Sequence, residues 1–574
     1  MRKFIYIISL ALTLSVFSSC DSMLDEVNYG NPTVSDMMTN EENVVLLVGQ
    51  AYADLKWIHD HWGYFGVSSL TADECLCPTR GDDWADGGYW RNLNTHKFDI
   101  HAKAFENIWK MTISGAVLCN KLIQTLADSR ESMNPAVYAQ YVGELEVLRS
   151  YYYYLLFDCF GRIPYTEDYS DESRPLLAPQ ETWSALVNCL ERNAPNMAVV
   201  TDGNRSANYG RTTHGFAYAL LARLYLNATS FGCTPDNVSL SDNSQYRPDF
   251  KAIAGEADFY TNAVACCDRV INSGSYSIEP DFFTNFKIKN EDSKENIFVI
   301  VEDGRADFDE RSGPDGNMKN KLRVLFLSLH YQQQEAYGTQ LDCWNGFCAR
   351  PSYLERYNRR DVRGTGDEGL GTNDTHHWGW FVGPICRKGS TTPLKDKRGN
   401  DAVVFPTVSS LTDAAIGDGA RMFKYEVDRE GKYKYCENDF VLMRYADVLW
   451  MKEEAILRGG QGTSGYNTSD FRTLRNRTFA YEADPETAYS SAYPTVLTLD
   501  GILDERGREF AWELVRRRDL IRYGKFGDPG YVEYVTDTDK NRNWFPIPYS
   551  VIEKSVRDKD GMPLWTQNPG YDTI

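Results

Sequence analysis

The segment that most restricts the fold is GELEVLRSYYYYLLFDCFGRIPY, residues 143–165. Leu145, Leu148, Tyr152, Leu155 and Cys159 recur at intervals of three and four, which places them on one stripe of an α-helix. Gly161 and Pro164 then stop it. Glycine reaches the backbone conformation that closes a helix, and proline lacks the N–H that would continue one. A chain with such a helix must supply other apolar helices to cover it.

It does. THGFAYALLARLYLNAT (213–229) sets Ala217, Ala219, Ala222 and Ala228 beside Leu220, Leu221 and Leu224. Small residues on such a stripe let a neighbouring helix approach closely. FYTNAVACCDRVINSGSY (259–276) is a third helix, again closed by glycine. Residues 40–58 form another, with Glu41 and Glu42 in the first turn and Val45, Leu46, Val48, Ala51, Tyr52 and Leu55 on the same spacing. FVLMRYADVLWMKEEAILRGG (440–460) and ILDERGREFAWELVRRRDLIRYGKF (502–526) read as two more long amphipathic helices. The segments come in pairs about 35–45 residues apart with Gly or Pro stops, so each pair resembles a degenerate tetratricopeptide unit. The middle of the chain differs. It is rich in Gly and Asp, with short β-like runs at ENIFVIV (295–301) and DAVVFPTV (401–408), and reads as loops and small strands inserted between helix pairs.

The N-terminus reads as an export signal. MRK is followed by an apolar run of 14 residues, Phe4 to Phe17. A membrane span needs about 20, and this length suits a signal segment. SSC follows, with Cys20 directly after small residues, and resembles the lipobox of bacterial lipoproteins, in which the thiol is acylated. Phe17 stands where leucine is usual. Residues 1–19 are then removed, and residues 20–39 are a lipidated N-terminus and tether. Stable anchoring takes two or more acyl chains, at about 0.8 kcal/mol per buried methylene. An ordinary cleaved signal with a chance cysteine is the rival interpretation.

The net charge of −20 repels nucleic acid. The basic run Arg516–Arg518 lies beside DERGRE, with opposite charges three and four residues away, which describes a salt-bridged helix. Cys119, Cys159, Cys189, Cys233 and Cys266 lie within apolar helical patterns and read as buried free thiols. CLC (75–77) has no second Cys/His pair at zinc-finger spacing, and HDH (59–61) and HH (376–377) are isolated, so both histidine groups read as surface or structural. No metal, cofactor or catalytic residue is expected.

Large aromatic faces also occur where no core is expected to cover them. TRGDDWADGGYW (79–90) holds two tryptophans and a tyrosine among glycines and aspartates. Within a dozen residues Arg80, Asp83, Asp86, Trp84, Tyr89 and Trp90 combine flat apolar rings with groups that bond hydroxyls. In THHWGWF (375–381), Trp378 and Trp380 are two apart, which in an extended chain puts both rings on one side. A pyranose has apolar C–H faces and a polar edge, so these are candidate glycan-binding residues. The alternative is that each ring pins a loop to the body.

Five features, in order, resemble the SusD/RagB family of outer-membrane lipoproteins. They are the lipobox at Cys20, ELEVLRSYYYYLLFDCFGRIPY, GFAYALLARLYLNAT, LMRYADVLWMKEEAILRGG, and the C-terminal pair ILDERGREFAWELVRRRDLIRYGKF with NWFPIPYSVIEKS…LWTQNPGY. The resemblance implies an all-α fold: tetratricopeptide-like helix pairs in a superhelical body, with loop-rich, minor-β insertions forming the ligand-binding face. It implies one domain over 40–574, with the helical core mainly in 40–60, 100–280 and 438–530 and the ligand-binding insertion at about 281–437.

It implies a non-catalytic surface protein that passes an oligo- or polysaccharide to a SusC-like TonB-dependent outer-membrane transporter. After Cys20 the sequence DSMLDE carries Asp21, Asp25 and Glu26 but lacks the compact acidic cluster that marks surface export in this group. In the family the ligand face draws on the segment after the first helix and on the central insertion. TRGDDWADGGYW lies in the first and CWNGFCARPSYLERY (343–357) in the second. Trp344 stands at a position resembling a sugar-stacking tryptophan of the family, with Asn345 beside it. Two other classes compete. One is a peptide-binding member of the same family. The other is a surface glycoside hydrolase, which needs two carboxylates roughly 5–9.5 Å apart. The chain carries no nucleophile elbow, HExxH or Walker loop.

Overall fold

The computed structural model describes residues 38–170, 172–302, 325–338, 343–365, 379–387, 389–396, 398–427, 436–557 and 559–573. The signal segment, Cys20, the tether up to residue 37, His376, His377 and Trp378 lie outside the described residues.

The structure is mainly helical. The principal helices are α1 (Glu41–Gly49), α2 (Tyr64–Thr71), α3 (Tyr89–Asn94), α4 (Lys103–Asp128), α5 (Pro135–Phe160), α6 (Pro179–Asn193), α7 (His214–Leu226), α8 (Glu256–Asn272), α9 (Tyr445–Leu457), α10 (Leu499–Glu509) and α11 (Arg516–Arg522). From α4 to α11 each packs on the next.

Local chemistry sets their ends. Asn134 caps α5 by accepting from the Ala136 N–H at 2.9 Å, and Pro135 fills the first helical position, where no N–H is needed. Gly161 closes α5 at φ +69°, and a Cβ there would stand 2.6 Å from the Trp544 ring, so only glycine fits. The Asp258 carboxylate accepts from the Ala254 and Gly255 N–H groups at the start of α8. A single apolar stripe understates α5: every residue from Val147 to Phe160 is buried. It is a core helix, wrapped on all sides.

Three two-stranded antiparallel ribbons lie among the described residues. They are β1 (Asn296–Ile300) with β6 (Phe440–Arg444), β2 (Gly379–Phe381) with β5 (Arg421–Phe423), and β3 (Gly383–Pro384) with β4 (Val403–Val404). This corrects the helix expected over 440–460. Its first five residues pair with β1, Asn296 opposite Arg444, and the helix starts only at Tyr445. The helix expected over 502–526 is also broken. Between α10 and α11 the backbone turns left-handed at Trp512 (φ 59°) and Leu514 (φ 67°). The Trp512 ring is thereby buried edge-on to Phe65, Phe347 and Trp380, and the Trp512 main-chain N–H donates to the Glu74 carboxylate at 2.9 Å. Packing of one large ring outweighs continuation of the helix.

An ionic core ties the inserted segments to the helices. Arg444 donates to Glu295 (2.5 Å), Glu509 (2.9 Å) and both oxygens of Glu513 (2.8 Å each). Arg477 donates to Glu295 (2.5 Å) and Glu509 (2.6 Å), and Arg363 to Glu505 and Glu509 (2.8 Å each). Arg444, Arg477, Glu295 and Glu509 have side-chain exposures of 0 %. Burial alone would raise the Glu509 carboxyl pKa, but Arg477, Arg444 and Arg363 hold it well below the ordinary carboxylate range.

The run Arg516–Arg518 is salt-bridged, but not locally. Arg516 pairs with Asp73 at 2.7 Å, and Arg517 and Arg518 both reach Asp158. The i,i+3 pairs that do form are Glu505–Arg508 and Asp519–Arg522. Eleven of the twelve described cysteines are buried free thiols, and Cys436 is half-buried.

Candidate functional site

Four tryptophans and a histidine from three separate stretches meet on one face of the loops. The Trp84 and Trp90 rings are 5.1 Å apart at 68°, Trp84 and Trp344 are 6.3 Å apart at 61°, and Trp62 and Trp90 are 4.6 Å apart at 57°. His61 sits among them. It lies 5.8 Å from Trp90 and nearly parallel to it, and edge-on to Trp84 at 5.7 Å and Trp344 at 5.8 Å. These rings, with Asp83, Asp86, His330, Tyr331, Cys343 and Asn345, line a cavity of about 330 Å³. That volume falls in the range of small-ligand sites.

The loop reaches this shape at some backbone cost. Trp84 and Asp86 hold φ values of 60° and 34°, which L-residues adopt at a cost of about 1–3 kcal/mol each. Local bonds offset it. The Arg80 and Asp83 main chains bond each other at 3.0 and 3.2 Å, and Trp90 donates its indole N–H to Asp86 at 2.6 Å. Gly346 is the other requirement. A Cβ there would stand 2.4 Å from the Trp84 ring, so the tryptophan rests directly on the main chain after Trp344.

The rings play unequal parts. Trp90 is only 1 % exposed and backs the wall, whereas Trp84 is half-buried, Trp344 is 39 % exposed and Tyr331 is 57 % exposed. Asn345 forms part of the floor. Its Oδ1 accepts from Arg421 at 2.9 Å, while its buried Nδ2 has no hydrogen-bond partner in the protein and is a spare donor at the cavity. Two carboxylates, an amide donor and several flat rings suit a ligand with one apolar face and a hydroxylated edge.

The structure thus gathers Asp83, Trp84, Asp86, Trp90, Trp344 and Asn345 around one cavity. It places the other candidates elsewhere. Tyr89 stacks on Trp62 at 4.6 Å and lines a neighbouring cavity of about 230 Å³. Arg80 is buried beneath the loop, where its guanidinium donates to the carbonyls of Asn345 (3.1 Å) and Ala415 (2.6 Å), so it braces the site from below. Trp380 is turned into the core against Trp512 (5.6 Å) and Tyr353 (6.1 Å). The expectation that it presents an open face is corrected: the short strand is buried on both faces, Trp380 entering one apolar cluster and Phe381 another.

His61, Trp62, His330, Tyr331 and Cys343 were absent from the sequence-derived set. HDH is not on the surface: His59, Asp60 and His61 are all buried, and His59 bonds Glu302 at 2.7 Å. The available signal was HDHWG, a tryptophan between histidine and glycine with an aspartate close by, as at Trp84. Among the described residues no group of three or more His, Cys, Asp or Glu is arranged to hold a metal ion, and no helix is long and apolar enough to cross a membrane.

A mainly helical body carrying an aromatic, carboxylate-edged pocket on its loops defines a ligand-binding protein. The chain belongs to the SusD family, which matches residues 294–571; residues 79–226 match a family described as starch-binding associating with outer membrane. The Starch-binding protein SusD of Bacteroides thetaiotaomicron is 24% identical over 479 residues, covering 77% of this chain and 75% of that protein.

The fold is similar to that of surface glycan-binding protein A from Bacteroides fluxus, at 21% identity and TM-score 0.66 over 93% of this chain and 100% of that one. It is also similar to surface glycan-binding protein A from Bacteroides thetaiotaomicron, solved in complex with laminarihexaose. There the identity is 20% and the TM-score 0.63, over 92% of this chain and 99% of that one. By their names these relatives are binding proteins.

Proposed function

We propose that this protein captures an oligo- or polysaccharide at the cell surface and passes it to a partner TonB-dependent outer-membrane transporter of the SusC type. The carrying observation is the meeting of Trp84 and Trp344, some 260 residues apart in sequence, as neighbouring rings in one cavity edged by Asp83, Asp86 and Asn345. The open indole of Trp344 covers the apolar face of a sugar ring. Asp83 and Asp86 accept from its hydroxyls, and Asn345 donates to one. Hydrogen bonds to charged groups contribute roughly 1.5–3 kcal/mol before dehydration is netted. The starch and laminarin ligands in the names of relatives support the same ligand class. Cys20 carries the lipid that tethers the body to the outer membrane, facing the exterior, and residues 40–574 act as one domain on that tether.

The test is calorimetric titration of the protein with plant, host and microbial oligosaccharides, beside Trp344→Ala. Binding of one glycan that weakens tenfold or more in the variant, about 1.4 kcal/mol, supports the reading. A folded protein that binds no glycan contradicts it.

A further inference from the structure

Beyond Asp83 lies a second and larger cavity, of about 730 Å³. We propose that it is the continuation of the glycan site, so that the ligand is a linear, uncharged oligosaccharide whose chain crosses Asp83 from the aromatic pocket into this chamber. The inference rests on the carbohydrate reading above and extends it to ligand length and charge.

The two chambers share their walls. Asp83 lines both. The turn Tyr331–Ala336 offers Tyr331 to the first and Gln333 to the second. They also share a clamped floor. Arg80 donates to the Asn345 carbonyl under the first chamber and to the Ala415 carbonyl under the second. Arg421 donates to the Asn345 side chain at 2.9 Å and to the Ile416 carbonyl at 2.8 Å. Both arginines are buried, so the two floors form one rigid unit already ordered before anything binds. A ligand spanning such a surface does not bear the cost of ordering it.

The lining fits further sugar units. Phe405 is 49 % exposed there and offers a flat apolar face, as Trp344 does in the first chamber. Gln333 supplies an amide. Five aspartates line the chamber against two arginines, and Arg80 is one of those two. Carboxylates accept well from hydroxyls and repel a uronic acid, which selects for uncharged chains.

The experiment is titration of the full chain with malto-, laminari-, cello-, xylo- and manno-oligosaccharides, each from disaccharide to heptasaccharide, and with oligogalacturonates of matched length. Variants Phe405→Ala and Trp344→Ala are run in parallel. For the series that binds, affinity is expected to keep rising past the disaccharide. Phe405→Ala should weaken the long members about tenfold and leave the disaccharide unchanged, whereas Trp344→Ala weakens every length. Oligogalacturonates should bind at least tenfold more weakly. A plateau at the disaccharide, or a Phe405→Ala effect that is absent or equal at all lengths, overturns the second chamber while leaving the first intact. Failure of every series to bind the folded wild-type protein overturns the carbohydrate reading itself, and this inference with it.

Discussion

The cluster around Glu509 and the cluster around His61 both gather side chains from distant parts of the chain, but they leave different things undone. Around Glu509, both oxygens of Glu295 and of Glu509 accept from arginines, and the side chains are shut away from solvent. Around His61, the rings touch one another, yet Trp344 and Tyr331 keep open faces and Asn345 keeps a donor unused. The first cluster can gain nothing from a ligand and loses heavily if one member is removed. On the proposed reading the second is where a ligand binds, and its most open rings carry little of the fold. Stability and recognition are thus assigned to separate sets of residues.

The sharpest way to break that separation is inside the ionic core. Arg444→Ala leaves three buried carboxylates short of a partner and is expected to cost about 3–5 kcal/mol in denaturant unfolding, with glycan affinity per folded molecule unchanged. Acid acts on the same kind of contact by a different route. Burial raises the carboxyl pKa values of Asp447 and Glu454. Arg506 and Arg223 beside the first, and Arg522 and Arg458 beside the second, more than reverse this and hold each at about 2. Both groups take up a proton when the chain unfolds in acid. Their contribution, on the order of 2–3 kcal/mol each, is full above about pH 4.5 and is lost as pH falls towards 2. Chemical unfolding followed across that window should show the decline, and Glu454→Gln should flatten part of it.

Smaller effects are expected at the pocket. Gly346→Ala drives a methyl into the Trp84 ring, at a cost of about 1–3 kcal/mol, and should lower glycan affinity because that ring must move. Trp344→Ala removes an exposed ring and should change stability by less than about 0.5 kcal/mol while weakening binding tenfold or more.

The helices were legible because their spacing is local: α5, α7 and α8 lie where the three–four pattern and the Gly stops put them. The breaks were not. Phe440–Arg444 pairs with a strand nearly 150 residues away, and the kink at Trp512 answers to rings brought there by the whole fold. At the site, aromatic residues among Gly and Asp pointed to Trp84 and Trp90, and the family resemblance pointed to Trp344. Nothing near Tyr331 or His61 in sequence says which rings they will face. Trp380 misled because alternation was read as leaving one open side, whereas both sides of Gly379–Phe381 are buried. The partners of Arg516–Arg518 were sought three and four residues away, whereas Asp73 and Asp158 lie hundreds of residues upstream.

The most direct test of this division of labour pairs two variants, Trp344→Ala and Glu509→Gln, and measures both melting temperature and glycan affinity at neutral pH. The account predicts opposite outcomes. Trp344→Ala melts like the wild type and binds poorly, while Glu509→Gln melts several degrees lower and, where folded, binds like the wild type. Stability and affinity falling together in either variant would contradict it.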